Sequence, residues 1–304
     1  MIAAFGPIWI LTAVGYAVRR WGLLDDSATS VLGRFVFHLA MPAALFLTLE
    51  RTPLSHFAGR SLLAFGVSSA VVLGTGWFGA ARWFHRKPAE RPIWGMSAGY
   101  VNSANLGIPI AMQVLGNVSF LVEVVLLQVL LITPIILIAL DRSHDADGRI
   151  RLRRIATLPL RNPVILGSVL GVVASATHFH PPGMVQTSLS LLSASAVPAA
   201  LIALGASLHR DADTMERATG ELTVITALKL VAQPLIAYAM GAWVLHLSAP
   251  QLLAVVVCAG LPTAQNTFIF AQEYGVGEAL SSRAVLVTTT LSLATLAGIA
   301  AWLG

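Results

Sequence analysis

Two apolar stretches of this chain are each interrupted near their centre by amides, hydroxyls, glycine and proline, and they hold corresponding places in its two halves. The first runs from Arg91 to Gly116 and contains AGYVNSANLGIPIAM; the second runs from Ala249 to Gly275 and contains CAGLPTAQNTFIFAQEYG. Each exceeds the roughly 20 residues that a helix needs to cross a bilayer. Hydrocarbon offers no partner to a free N–H or C=O, so irregular backbone at that depth survives only where it lines a protein-walled cavity. Paired interruptions in matching halves therefore point to a binding site between two broken helices, as in membrane carriers.

Composition agrees. Hydrophobic residues make up 56% of the 304 and charged residues 11%, with a mean hydropathy of +0.78. Soluble domains carry about 25% charged residues, so the chain belongs in a membrane. The net charge of +5 does not imply nucleic acid, because the basic residues sit in short loops between apolar spans. Cys258, the single cysteine, lies inside a span and reads as a small buried apolar residue. The first apolar span is expected to be a retained helix and not a cleaved leader, since Arg19 and Arg20 follow it and no basic residue precedes it.

Hydropathy predicts an all-α polytopic protein with about ten spans: 2–18, 31–49, 61–81, 92–115, 118–140, 163–179, 185–208, 222–246, 250–272 and 283–303. With the N-terminus outside, the inward loops hold fifteen basic residues, from Arg19 to Arg283, and the outward loops hold Arg51 and Arg60. That bias predicts both termini outside. Residues 141–161 form a cytoplasmic connector, whose IRLRRIATLPLR reads either as a basic surface helix or as a solvated linker. The connector separates two five-helix units, 1–140 and 162–304.

The two units resemble each other. MPAALFL from Met41 matches VPAALIA from Val197, so Pro42 and Pro198 are equivalent positions at which a helix would bend. AGYVNSAN from Ala98 overlays AGLPTAQN from Ala259, pairing Asn102 with Thr263 and Asn105 with Asn266. Five spans is an odd number, so the second unit must enter the membrane inverted relative to the first. Inverted repeats are a common basis for alternating access.

At each break one half-helix ends in carbonyls and the next begins with free N–H groups. Candidate substrate-binding residues are Asn102, Ser103, Asn105 and Gly107 in the first break and Thr263, Gln265 and Asn266 in the second. Pro42, Pro109, Pro198 and Pro262 are the candidate helix breaks or hinges, and Pro109 suits the first turn of a resumed helix. For each amide singly, satisfying the broken backbone is an equal alternative; the number of them favours a ligand. All seven Asp residues lie in loops, which argues against a mid-membrane carboxylate pair of the antiporter kind and against an intramembrane aspartyl protease. No HExxH occurs, and the Ser–His of GASLH sits at a span's inward end. Lys229, about two turns into the eighth span, either neutralises a substrate carboxylate or snorkels to the cytoplasmic surface, the second being preferred. Glu273 closes the ninth span and, with Lys229, is the candidate for coupling to protons or sodium; no catalytic residue, metal or cofactor is expected.

Asn102 followed by Gly107-Ile108-Pro109, together with LPTAQNTFIFAQEYG from Leu261 to Gly275, resembles the fourth- and ninth-helix patterns of the auxin efflux carrier family, which includes plant auxin carriers and bacterial malonate or malate permeases. The resemblance covers nearly the whole chain. It implies a crossover fold like that of the sodium/bile-acid symporters, with a scaffold, a moving transport domain, an elevator-type motion and a homodimer. It also implies substrate contact at Asn102 and Pro262 with their neighbours. Plant members carry proline where this chain has Val101, and their long cytoplasmic loop is missing here. The leading expectation is a non-enzymatic secondary carrier of a small organic anion, an auxin-like acid or a mono- or dicarboxylate, in a bacterial inner membrane. The alternatives are a sodium-coupled solute symporter and a membrane sensor that binds a ligand without moving it.

Overall fold

Backbone groups that cannot reach water must bond within their own segment, and the chain responds by folding almost wholly into helix. A computed structural model describes residues 2–51, 59–144, 163–210 and 215–304. The helices are α1 (Ile2–Arg20), α2 (Ser27–Glu50), α3 (Arg60–Arg82), α4 (Arg91–Gly99), α5 (Ile108–Val114), α6 (Ser119–Ser143), α7 (Pro163–Thr177), α8 (Gly183–Arg210), α9 (Thr219–Val244), α10 (Ala249–Ala259), α11 (Gln265–Tyr274) and α12 (Glu278–Leu303). Among the described residues six helices are long and apolar enough to cross a membrane: α2, α3, α6, α8, α9 and α12. The predicted connector lies outside the described residues beyond His144, and so does the surface helix expected within it.

Four prolines shape the long elements. Pro42, Pro109, Pro134 and Pro234 each stand two residues after the end of a π-helical turn, at Val36–Ala40, Ser103–Gly107, Gln128–Ile132 and Leu228–Ala232. A proline ring clashes with the carbonyl four residues back, and a widened turn relieves that clash. Pro198, expected to match Pro42, behaves differently: α8 runs through it as unbroken α-helix.

The helices pack as two groups, each drawn from both halves of the chain. In the first, α1 lies on α8, and α2 lies on α7 and α8. In the second, α3 packs on α4, α9 and α10, with α6 against α3 and α4, and α12 against α9, α10 and α11. The seam between the groups brings α2 and α8 against α11, and α8 against α12.

Glycines set the closest approaches. A Cβ on Gly15 of α1 would lie 2.2 Å from the Ile202 carbonyl oxygen of α8, and one on Gly171 of α7 would lie 2.7 Å from the Phe46 carbonyl oxygen of α2. Small residues let helices approach to backbone contact where no hydrophobic drive operates between them. The alignment that overlays MPAALFL on VPAALIA also places Phe46 over Ile202 and Gly15 over Gly171. The same contact thus recurs with the halves exchanged.

Candidate functional site

The two interruptions meet. α4 ends at Gly99 and α10 at Ala259, and the chain beyond each runs extended for a few residues before helix resumes. Asn102 N–H donates to Pro262 O at 2.8 Å and Ala264 N–H donates to Tyr100 O at 3.1 Å, closing an isolated antiparallel bridge between Val101 and Thr263. Each break therefore satisfies part of the other's backbone at a depth where no water would.

Side chains complete the crossing. Thr263 is fully buried; its Oγ1 donates to Ser97 O at 2.7 Å and its N–H donates to Thr288 Oγ1 at 3.1 Å. Gln128, from the π turn of α6, donates through Nε2 to Val101 O at 2.9 Å and accepts from Ser103 Oγ. Tyr100 and Thr133 share a hydroxyl hydrogen bond of 2.8 Å. Asn105 Nδ2 donates to Gln265 Oε1 at 2.8 Å, from one break to the other.

A cavity of about 340 Å³ opens on this crossing, at the seam between the two helix groups. Asn102, Ser103, Asn105, Gln265 and Asn266 line it on one side; on the other it is walled by Ala44, Leu45 and Thr48 of α2 and by Ser193, Ala196 and Val197 of α8. The volume falls near the lower end of small-molecule sites, about 300–1,000 Å³. Two amide nitrogens at this cavity, Asn102 Nδ2 and Gln265 Nε2, are buried without a hydrogen-bond partner. An unpaired buried N–H costs about 1–3 kcal/mol, so two at one cavity call for an acceptor. α11 starts at Gln265 with no side chain capping its first N–H groups, which adds the positive end of a helix dipole. The arrangement is a donor cluster in an apolar chamber, suited to carboxylate oxygens.

The structure sorts the predicted residues. Asn102, Ser103, Asn105, Gln265 and Asn266 come together at the cavity. Thr263 does not reach it, because its hydroxyl and N–H are spent within the crossing. Gly107 also lies off the cavity: a Cβ there would come within 2.6 Å of Leu121 Cδ1 and 3.2 Å of Leu261 Cδ1, so its smallness serves packing and not ligand approach. Pro109 stands in the first turn of α5 as expected, and Pro262 supplies the carbonyl that Asn102 uses. Lys229 does not snorkel. It is fully buried, on neither wall of the cavity, with Nζ donating to Gln233 Oε1 and to Ala259 O at 3.3 Å. Glu273 stands at the far end of α11, where its Oε1 lies 3.6 Å from His38 Nε2. Sequence reasoning missed Gln128 and Gln233; the signal was a single amide inside an otherwise apolar span.

Comparison with known proteins bears on the same stretch of chain. The family model described as membrane transport protein matches residues 1–300. A Rhizobium meliloti (strain 1021) protein carrying the provisional name of malonate transporter is 29% identical over 96% of this chain and 92% of its own length. Escherichia coli (strain K12) has a similar protein, the uncharacterized transporter YfdV, 26% identical over 89% of this chain and 87% of its own. Auxin efflux carrier component 5 of Arabidopsis thaliana is 23% identical over 96% of this chain and 93% of its own.

Proposed function

The chain belongs to the family of membrane transport proteins that includes the auxin efflux carriers, and from that premise we propose that it is a secondary carrier whose crossover cavity binds a small organic carboxylate. The observation that carries the reading is the pair of unpartnered amide donors, Asn102 Nδ2 and Gln265 Nε2, buried at one cavity. Carboxylate oxygens would accept from both, and the apolar wall of α2 and α8 would enclose the carbon skeleton. The relative named for malonate makes a short dicarboxylate the first cargo to try.

The position of the cavity supports an elevator-type mode of transport. Its donors belong to one helix group and its opposite wall to the other, so a ligand held at the crossing can travel with α3–α6 and α9–α12 past a fixed α1, α2, α7 and α8. This is alternating access of the elevator type. The exchange-related contacts of Gly15 with Ile202 and Gly171 with Phe46 support the inverted five-helix repeat, 1–140 and 162–304, from which such a motion arises. The charge bias of the loops supports both termini outside, in a bacterial inner membrane, and the family resemblance supports a homodimer.

The test is thermal unfolding of purified protein across a panel of carboxylates, followed by uptake of the best ligand into liposomes. A true ligand raises the melting temperature by mass action. Asn102→Ala and Gln265→Ala should each weaken that ligand about 10- to 100-fold, the range for one hydrogen bond to a charged group. Undiminished uptake by Asn102→Ala protein would remove Asn102 from the binding site.

A further inference from the structure

Lys229 is one of two lysines in the chain, and it is buried completely. It sits in the π turn Leu228–Ala232 of α9, one helical turn before Gln233, which is also fully buried. Lys229 Nζ donates to the carbonyl oxygen of Ala259 at 3.3 Å and to Gln233 Oε1. Gln233 Nε2 in turn donates to the carbonyl oxygen of Gly99 at 3.2 Å and to Ser69 Oγ at 3.1 Å. Gly99 is the last residue of α4, and Ala259 is the last of α10. A single Lys–Gln pair on α9 therefore serves the carbonyl ends of both broken helices. Among the described residues no carboxylate forms a salt bridge with Lys229.

Each helix end carries about half a negative charge, from carbonyls left without an intrahelical partner. Two such ends meet at the Lys229–Gln233 pair, and neither Gly99 nor Ala259 lines the cavity. Left alone they would repel an anion bound in the cavity. An ammonium placed there offsets both ends and attracts the anion through the crossing. The partners of Nζ are neutral oxygens, which is also the ligand chemistry that a hard monovalent cation takes.

We propose that Lys229 is the resident cation of this crossover, filling with its own ammonium the place where a dissolved cation would otherwise neutralise the two helix ends, so that anion binding here does not depend on sodium. The inference rests on reading the cavity as a carboxylate site. One carboxylate group of the bound acid then offsets the fixed ammonium, which reduces by one the net charge that the loaded unit carries through a low-dielectric layer.

The experiment uses purified full-length protein and malonate as probe. In Lys229→Ala protein the melting temperature should fall by several degrees and the malonate-induced rise should vanish. Propylammonium, which restores the missing three carbons and the charge, should recover both; propanol should recover neither. In the wild type the malonate-induced rise should be equal in sodium and in choline buffers. A Lys229→Met protein that melts and responds to malonate like the wild type would overturn the proposal, and so would a wild-type response that requires sodium. Should the alanine variant not fold, these last two measurements still decide. If no carboxylate shifts the wild type, the cavity reading fails, and recovery of stability by propylammonium judges Lys229 by itself.

Discussion

Asn105 and Gln265 join the two helix breaks through one side-chain hydrogen bond, Nδ2 to Oε1 at 2.8 Å, between residues 160 positions apart in the chain. The bond occupies the Gln265 oxygen and so fixes which end of that amide, Nε2, remains free. Asn105 is thus predicted to act by orienting Gln265. Asn105→Ala should weaken malonate about tenfold, the loss expected for roughly one hydrogen bond, measured by titration of the purified protein. Asn105→Asp keeps the shape but brings an acceptor with negative charge, and it should abolish anion binding altogether. Equal affinities for the two variants would count against an anionic ligand.

Thr263 gives the opposite expectation. Its hydroxyl holds Ser97 O inside the crossing, and Thr263 does not line the crossover cavity. Thr263→Val, nearly the same shape without the donor, should cost about 1–3 kcal/mol of stability through the unpaired carbonyl. Malonate affinity of the folded protein should stay within about threefold of wild type, a difference of under 1 kcal/mol. A large loss of affinity at unchanged melting temperature would return Thr263 to the ligand.

Helix contacts at glycine offer a test of the packing. A Cβ on Gly205 of α8 would fall 2.0 Å from the Thr12 carbonyl oxygen of α1, and a backbone atom cannot turn aside. Gly205→Ala should destabilise by about 1–3 kcal/mol through overpacking. Gly74→Ala, at a site in α3 with nothing within 4 Å, should be neutral or slightly stabilising because alanine is the better helix former. Thermal melts of the two variants side by side check the contrast.

Near the start of α9, Glu221 is buried and receives Trp94 Nε1 at 2.8 Å and Arg86 Nε at 3.0 and 3.1 Å from its two oxygens. The carboxylate also holds Arg86 above its ordinary pKa, chiefly through these hydrogen bonds and against the pull of burial. Arg86→Ala leaves Glu221 with one strong partner fewer. It should cost about 2 kcal/mol, below the full price of breaking a buried pair because the guanidinium is partly exposed. Trp94→Phe, which deletes only the indole donor, should cost about 1 kcal/mol. Chemical unfolding of both variants distinguishes the two contributions.

Much of the site could be read from the chain because hydrocarbon makes polar residues conspicuous. Asn102, Asn105, Gln265 and Asn266 stood out against their apolar surroundings, and the structure brings all four to one cavity. What could not be read was direction. Lys229 and Thr263 have the same chemistry whether they face a ligand, the lipid or the crossing, and only packing decides. For Lys229 the deciding element is a π turn ahead of Pro234, which hydropathy does not register. Gln128 and Gln233 were passed over because one amide in a long apolar span has many readings; their roles depend on backbone oxygens of residues 101 and 99, contributed by other helices. The all-helical, membrane-spanning character of the fold was legible from hydropathy. The division into two packing groups was not, since each group takes helices from both halves of the sequence.

The amides that line the cavity and the aliphatic residues that α2 and α8 present to it come from different helix groups. On the proposed reading, recognition of a ligand's anionic head and selection by the shape of its tail are separable traits. Ala44, Leu45, Ala196 and Val197 can change size without disturbing the backbone bridge or any amide of the crossing. If the cavity takes carboxylates as proposed, a lineage with this architecture could trade one acid for another by small steps along α2 and α8, keeping its anchoring chemistry while its diet changes.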